Sequence, residues 1–215
     1  MKDSTESILQ DLVKRYPRLN SCHDGIDLAV EAIITCYKND SKVLTCGNGG
    51  SAADAQHIVG ELMKGFTLPR KINGHEMMQK IGKENGEYIC SNLQGSLQAI
   101  SLVSEVVFLT AHANDIAPDM CFAQQVYGYG REGDILVAIS TSGNSRNILY
   151  ACEVAKAIGV IVIGLTGRSG GKLRDLSHIL INVPEDETYK VQELHLPVYH
   201  AICLAVENEF FGMED

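Results

Sequence analysis

At 215 residues, with 45% hydrophobic and 21% charged side chains, the chain is long enough for one packed α/β domain and has an ordinary globular composition. Its formal net charge of −9 argues against a nucleic-acid surface, which needs clustered Lys and Arg, so an anionic ligand has to be small and held by a local device. No apolar run can span a bilayer, the N-terminus lacks a secretory apolar core, and seven scattered cysteines without a CxxC pair fit a reducing cytoplasm, not disulfides or zinc fingers.

Residues 4–15 place Ile8, Leu9, Leu12 and Val13 on one helical stripe that stops before Pro17. A second helix carries Ile26, Val30, Ile33 and Tyr37 on one face and ends at the Asn39-Asp40-Ser41 turn. Residues 1–40 thus form a helical hairpin, either a cover for the core or a subunit contact. KVLTC (42–46) is a short apolar strand, followed by a glycine loop and a helix over 51–65. Segment 66–97 is turn-rich with mixed charges, and its length suggests a lid, an insertion or a surface elaboration.

Strand 98–104 leads into a helix through Phe108 and Ala111, then an amphipathic stretch over 117–129. DILVAIS (134–140) is a buried strand, and TSGNS (141–145) caps a helix to about residue 158. Strands follow at 160–166 and 178–183, and a helix over 188–210 closes the chain. Wholly apolar strands alternating with helices imply a doubly wound α/β fold, a parallel sheet covered on both faces. Ligands in such folds bind at the carboxyl ends of the strands.

Two loops meet that expectation. Gly47-Asn48-Gly49-Gly50-Ser51 follows a strand and opens a helix, where converging N–H groups and the helix dipole can hold a phosphate. Alone, it fits a tight turn equally well. Ser140-Thr141-Ser142-Gly143-Asn144-Ser145 repeats the arrangement with four hydroxyls, more than one helix cap uses. The pair points to a phosphorylated small molecule held without Lys or Arg. His57 and Glu61 share a face of the helix leaving the first loop, and Gln192 and His200 lie eight apart near the last helix.

CGNGGSAADAQH together with ISTSGNS resembles the sugar isomerase (SIS) domain, and HIVGE with VQELHLPVYH is similar to its phosphoheptose isomerase branch. The resemblance covers nearly the whole chain and implies a single SIS domain over 1–215. It implies an isomerase that interconverts sedoheptulose 7-phosphate and D-glycero-D-manno-heptose 7-phosphate through an enediol, with Glu61 and His200 as the acid/base pair. It further implies phosphate and substrate contacts from Asn48, Gly49, Gly50, Ser51, Asp115, Ser140, Thr141, Ser142, Ser145 and Gln192. A zinc ion on His57, Glu61, Gln192 and His200 is implied for some members, as is a homotetramer with sites between subunits. Another sugar phosphate, or a regulatory phosphosugar-sensing protein related to replication-initiator-associating proteins, is the alternative.

Three departures from that family stand out. Lys64-Gly65 replaces a usual Gly-Arg pair, segment 66–97 is long, and Pro197 lies between Gln192 and His200, where a helix would kink or start late. Glu193 and His195 are expected on the surface or in a subunit contact. His23, His75, His112 and His178 carry no assigned role.

Overall fold

The computed structural model describes residues 1–213. Five strands, β1 (Val43–Cys46), β2 (Ala99–Ser101), β3 (Ile135–Ser140), β4 (Ile161–Thr166) and β5 (Ile179–Asn182), form one parallel sheet in the order β2-β1-β3-β4-β5. The chain moves outward from β1 to β2, then returns past β1 to build β3, β4 and β5. The carboxyl ends of β1 and β3 therefore flank the point where the winding reverses, which is where doubly wound sheets bind ligands.

The apolar strands divide by alternation between two cores. Val43, Ile135, Val137, Ile139, Ile163, Leu165 and Ile181 face α1 (Asp3–Arg15), α2 (His23–Lys38), α3 (Gly50–Met63) and the last helix, α10 (Thr188–Phe211). Leu44, Cys46, Leu136, Ala138 and Val162 face the opposite way, onto α7 (Cys121–Tyr129), α8 (Arg146–Ala157) and α9 (Leu173–Leu176). The N-terminal hairpin is a cover for the first core. Leu9 and Leu12 from α1 and Ile26, Ala29, Val30 and Ile33 from α2 all enter it. At Gly25 the helix runs so close to β5 that a Cβ would strike the Leu180 carbonyl.

Segment 66–97 differs from the irregular stretch expected. A Lys71–Gln94 antiparallel bridge forms its stalk, and the chain between makes a helical hairpin of α4 (His75–Ile81) and α5 (Lys83–Asn92). No residue of α4 is buried, and Gly86 is the buried residue of α5, so neither helix shows a strong apolar face in its sequence. Helix α6 (Val106–Asp115) likewise buries nothing and leaves Val106 65% and Val107 82% exposed. All seven cysteines are free, and among the described residues no helix is long and apolar enough to cross a membrane.

Candidate active site

The two loops lie side by side at the reversal point. An amide pair ties the first loop to the start of α8, the helix that the second loop opens: Asn48 Nδ2 donates to Asn147 Oδ1 at 2.9 Å, and Asn147 Nδ2 donates back to Asn48 Oδ1 at 2.8 Å. Ser140 Oγ donates to Ser145 Oγ at 3.0 Å, bringing the first and last hydroxyls of the second loop together. Gly143 adopts φ 64°, and a Cβ there would run into the Gly170 carbonyl, so the sharp turn needs glycine on both counts. Gly49 also has positive φ, at 55°.

These loops enclose a cleft of about 330 Å³, lined by Asn48, Gly49, Gly50, Ser51, Ser140, Thr141 and Ser145, with Thr188 and Gln192 closing it from α10. The Gln192 amide packs so tightly over Gly50 that a Cβ on Gly50 would clash with it. The amino ends of α3 and α8 follow the two loops, which suits a dianionic phosphate with no lysine or arginine in the lining. Ser142 stands apart: it is exposed, and its Oγ accepts the Asn144 N–H at 3.2 Å within the turn. Asp115 is also outside the cleft, exposed at the end of α6, where its Oδ1 accepts from Asn114 at 2.9 Å.

The chemistry-bearing side chains gather further along α3. His57 Nε2 lies 3.2 Å from Glu61 Oε1, and the His57 and His200 rings meet edge to face with centroids 4.9 Å apart. Glu61 is 9% exposed, and its other oxygen, Oε2, accepts from Lys64 Nζ at 2.8 Å. The Lys64-Gly65 departure thus places a cation directly on the glutamate. Gly65 admits no side chain, because a Cβ would crowd the Leu68 carbonyl. His200 contacts Phe66, with centroids 5.4 Å apart, and its Nε2 is buried with no hydrogen-bond partner among the described residues. Burial, reinforced by the charge of His57 and opposed by Glu61, pushes the His200 pKa down.

Within one chain, His200 and the phosphate cleft line different recesses. His200 lines a recess of about 130 Å³ with Arg15, Tyr16, Phe66, Leu196, Pro197 and Leu204, whereas Gln192 belongs to the cleft. Eight residues of α-helix part the two by about 12 Å along its axis. Pro197 does not end that helix. α10 runs unbroken from Thr188 to Phe211 with the proline buried inside it, and the helix starts before Gln192.

His195 corrects an expectation. It is fully buried against the sheet instead of lying at the surface, and desolvation, opposed by the Thr166 backbone, lowers its pKa to about 4. Glu193 is exposed, as expected.

The donor types at His57, Glu61 and His200, two imidazoles and a carboxylate, are those zinc accepts, and the unpartnered His200 Nε2 leaves one of them uncommitted. As the side chains stand, His57 Nε2 faces Glu61, and among the described residues no three His, Cys, Asp or Glu groups converge as a metal site.

Sequence reasoning missed the buried pair that holds the far end of α3. Arg70 and Glu207 are 1% and 0% exposed. The guanidinium donates to Glu207 Oε1 at 2.9 Å, to the Leu62 carbonyl at 2.7 Å and to the Glu61 carbonyl at 2.9 Å. Glu207 also accepts from the N–H groups of Phe66, Thr67 and Leu68 and from Thr67 Oγ1. Burial raises the Glu207 pKa, but these hydrogen bonds outweigh it and leave it below the usual range. Charged residues 137 positions apart offer no local pattern that would pair them.

The SIS domain family model matches residues 9–91 and 87–167. A phosphoheptose isomerase of Akkermansia muciniphila is 34% identical over 212 residues, covering 99% of this chain and 100% of the relative. One from Clostridium acetobutylicum is 40% identical over 189 residues, covering 88% and 84%. The solved structure of a phosphoheptose isomerase from Francisella tularensis superposes with a TM-score of 0.75 at 32% identity, covering 96% of this chain and 97% of that one. Fold, loops and sequence together define a SIS-domain protein of the isomerase type. Within that class, the chain belongs to the phosphoheptose isomerase family.

Proposed function

We propose that this enzyme interconverts sedoheptulose 7-phosphate and D-glycero-D-manno-heptose 7-phosphate. The observation that carries the reading is the grouping of Glu61, His57 and His200 on and against the helix that starts at the hydroxyl-lined cleft. The cleft loops hold the phosphate. Glu61 removes the proton from the carbon beside the carbonyl, giving an enediol, and returns it to the neighbouring carbon. His200, kept neutral at physiological pH by burial, passes protons between the two oxygens. One proton leaves carbon and one returns, so the step needs no redox partner.

A zinc ion is part of the proposal: His57, Glu61 and His200 would hold it once the His57 ring turns from Glu61, with Gln192 as a fourth donor. When bound, it supplies a Lewis acid for the carbonyl oxygen. Metal analysis of the purified protein tests this.

The reading includes a homotetramer. Its supports are the exposed apolar face of α6 and the separation of the cleft from His200 within one chain, which a neighbour's contribution would bridge. Asp115, at the end of α6, would then reach substrate in an adjoining subunit. A cytoplasmic location is proposed from the seven free cysteines. The test is a coupled assay of aldose–ketose exchange on sedoheptulose 7-phosphate beside arabinose 5-phosphate and fructose 6-phosphate, with Glu61→Gln as the control.

A further inference from the structure

Asn48 and Asn147 meet where two helix amino ends come together. Asn48 lies two residues before α3 begins at Gly50, and Asn147 is the second residue of α8. Both helix ends carry partial positive charge, so with the cleft empty they repel each other. Among the described residues, no other side-chain hydrogen bond links residues 47–51 to residues 140–148. The orientation of the pair is set from the α8 side. The Ile148 N–H donates to Asn147 Oδ1 at 3.0 Å, which marks that atom as the oxygen of the carboxamide. Asn48 must then offer Nδ2 to it and Oδ1 to Asn147 Nδ2, as observed. The Asn48 oxygen is thereby engaged, and its nitrogen, which carries two hydrogens, keeps one uncommitted.

We propose that Asn147 is a positioning residue for phosphate binding: it holds the amino ends of α3 and α8 together while the cleft is empty, and it turns the Asn48 amide donor-first toward the anion. The inference rests on the reading of this cleft as the phosphate site. Asn147 does not line the cleft and acts through Asn48, which does. Without Asn147, the Asn48 carboxamide can rotate and bring its oxygen, an acceptor that repels a phosphate, to the same place. The two loops then have to be drawn together as the ligand arrives, and that ordering lowers affinity. Glu61 and His200 lie further along α3 and α10 and keep their own contacts.

Asn147→Ala is the direct test. Asn48 is exposed and Asn147 half-buried, so the pair contributes little to the fold, and the melting temperature should stay within about 2 °C of wild type. KM for sedoheptulose 7-phosphate should rise about tenfold, the effect of losing one or two neutral hydrogen bonds, with kcat within about twofold. The Ki of inorganic phosphate as a competitive inhibitor should rise by the same factor, a combination that general loosening of the protein would not give. Asn147→Leu, of similar shape, carries the test if the alanine variant does not fold. Added to Asn48→Ala, Asn147→Ala should cause no further loss, because it acts through that residue. A KM and a phosphate Ki within twofold of wild type, a fall in kcat with KM unmoved, or multiplied losses in the double variant would overturn the inference. A wild-type enzyme that inorganic phosphate neither inhibits nor binds in calorimetry would overturn the parent reading and the inference with it. Inhibition of wild type and Asn147→Ala at the same phosphate concentration would overturn the inference alone.

Discussion

Replacing Arg70 with methionine should destabilise the fold by about 4 kcal/mol, because the side chain closes three separate polar accounts inside the core. Methionine fills the space of the aliphatic stem but donates nothing. The Glu61 carbonyl, which receives a guanidinium N–H at 2.9 Å, loses that donor while remaining inside the protein, whereas the Leu62 carbonyl keeps the Leu97 N–H at 3.1 Å. Such an unsatisfied group costs about 1–3 kcal/mol. Glu207 loses its cation, and breaking one side of a buried ion pair costs about 3–5 kcal/mol. The full sum is an overestimate here, since Glu207 keeps the N–H groups of Phe66, Thr67 and Leu68 and the Thr67 hydroxyl. Urea unfolding followed by circular dichroism, at matched protomer concentration, measures the loss. A change below about 1 kcal/mol would refute the reasoning, because it would mean that the buried guanidinium contributes little beyond its packing.

Glu207 itself predicts an acid limb. Its folded pKa lies below the unfolded value, so its contribution is present above the unfolded pKa and is lost as pH falls through the folded one; Glu207→Gln should flatten that part of the stability–pH curve. His195 predicts a second slope. With a folded pKa of about 4 against an unfolded value near 6.5, the unfolded chain binds the extra proton, and stability should fall by about 3 kcal/mol from pH 6.5 to 4. A leucine at 195 should remove that slope, and chemical denaturation across pH would reveal it. Gly143→Val, which adds a branched side chain at φ 64° against Gly170, should abolish saturation by sugar phosphate while His200→Ala should abolish turnover. If sites form between subunits, tetramers mixed from these two inactive variants should regain measurable turnover; mixtures that stay inactive would place each site within one chain.

The sheet was legible because its strands are apolar on both faces, so β1, β3, β4 and β5 appear as uninterrupted runs such as ILVAIS. The cradle was legible because glycines and hydroxyls are concentrated where strands end. Helices α4 and α5 were not, since a hairpin that buries almost nothing has no period to read. His195 was misjudged for a related reason: helical spacing from Gln192 says which residues share a face, but α10 buries a broad face that takes in Val191, His195, Val198 and Ala205, so facing away from the site still meant burial. Pro197 argued for a kinked or late-starting helix, and burial of Pro197, Val198 and Ala201 against the core overrode its local cost. Arg70 and Glu207 gained their roles only from tertiary contact.

The coupled assay on sedoheptulose 7-phosphate, run with wild type and Glu61→Gln side by side, bears most directly on the central claim. The account predicts turnover by the wild-type protein, with weaker activity on arabinose 5-phosphate and fructose 6-phosphate, and a loss in Glu61→Gln of at least about a hundredfold. Equal rates in the two proteins, or no exchange on any of the three sugars, would contradict it.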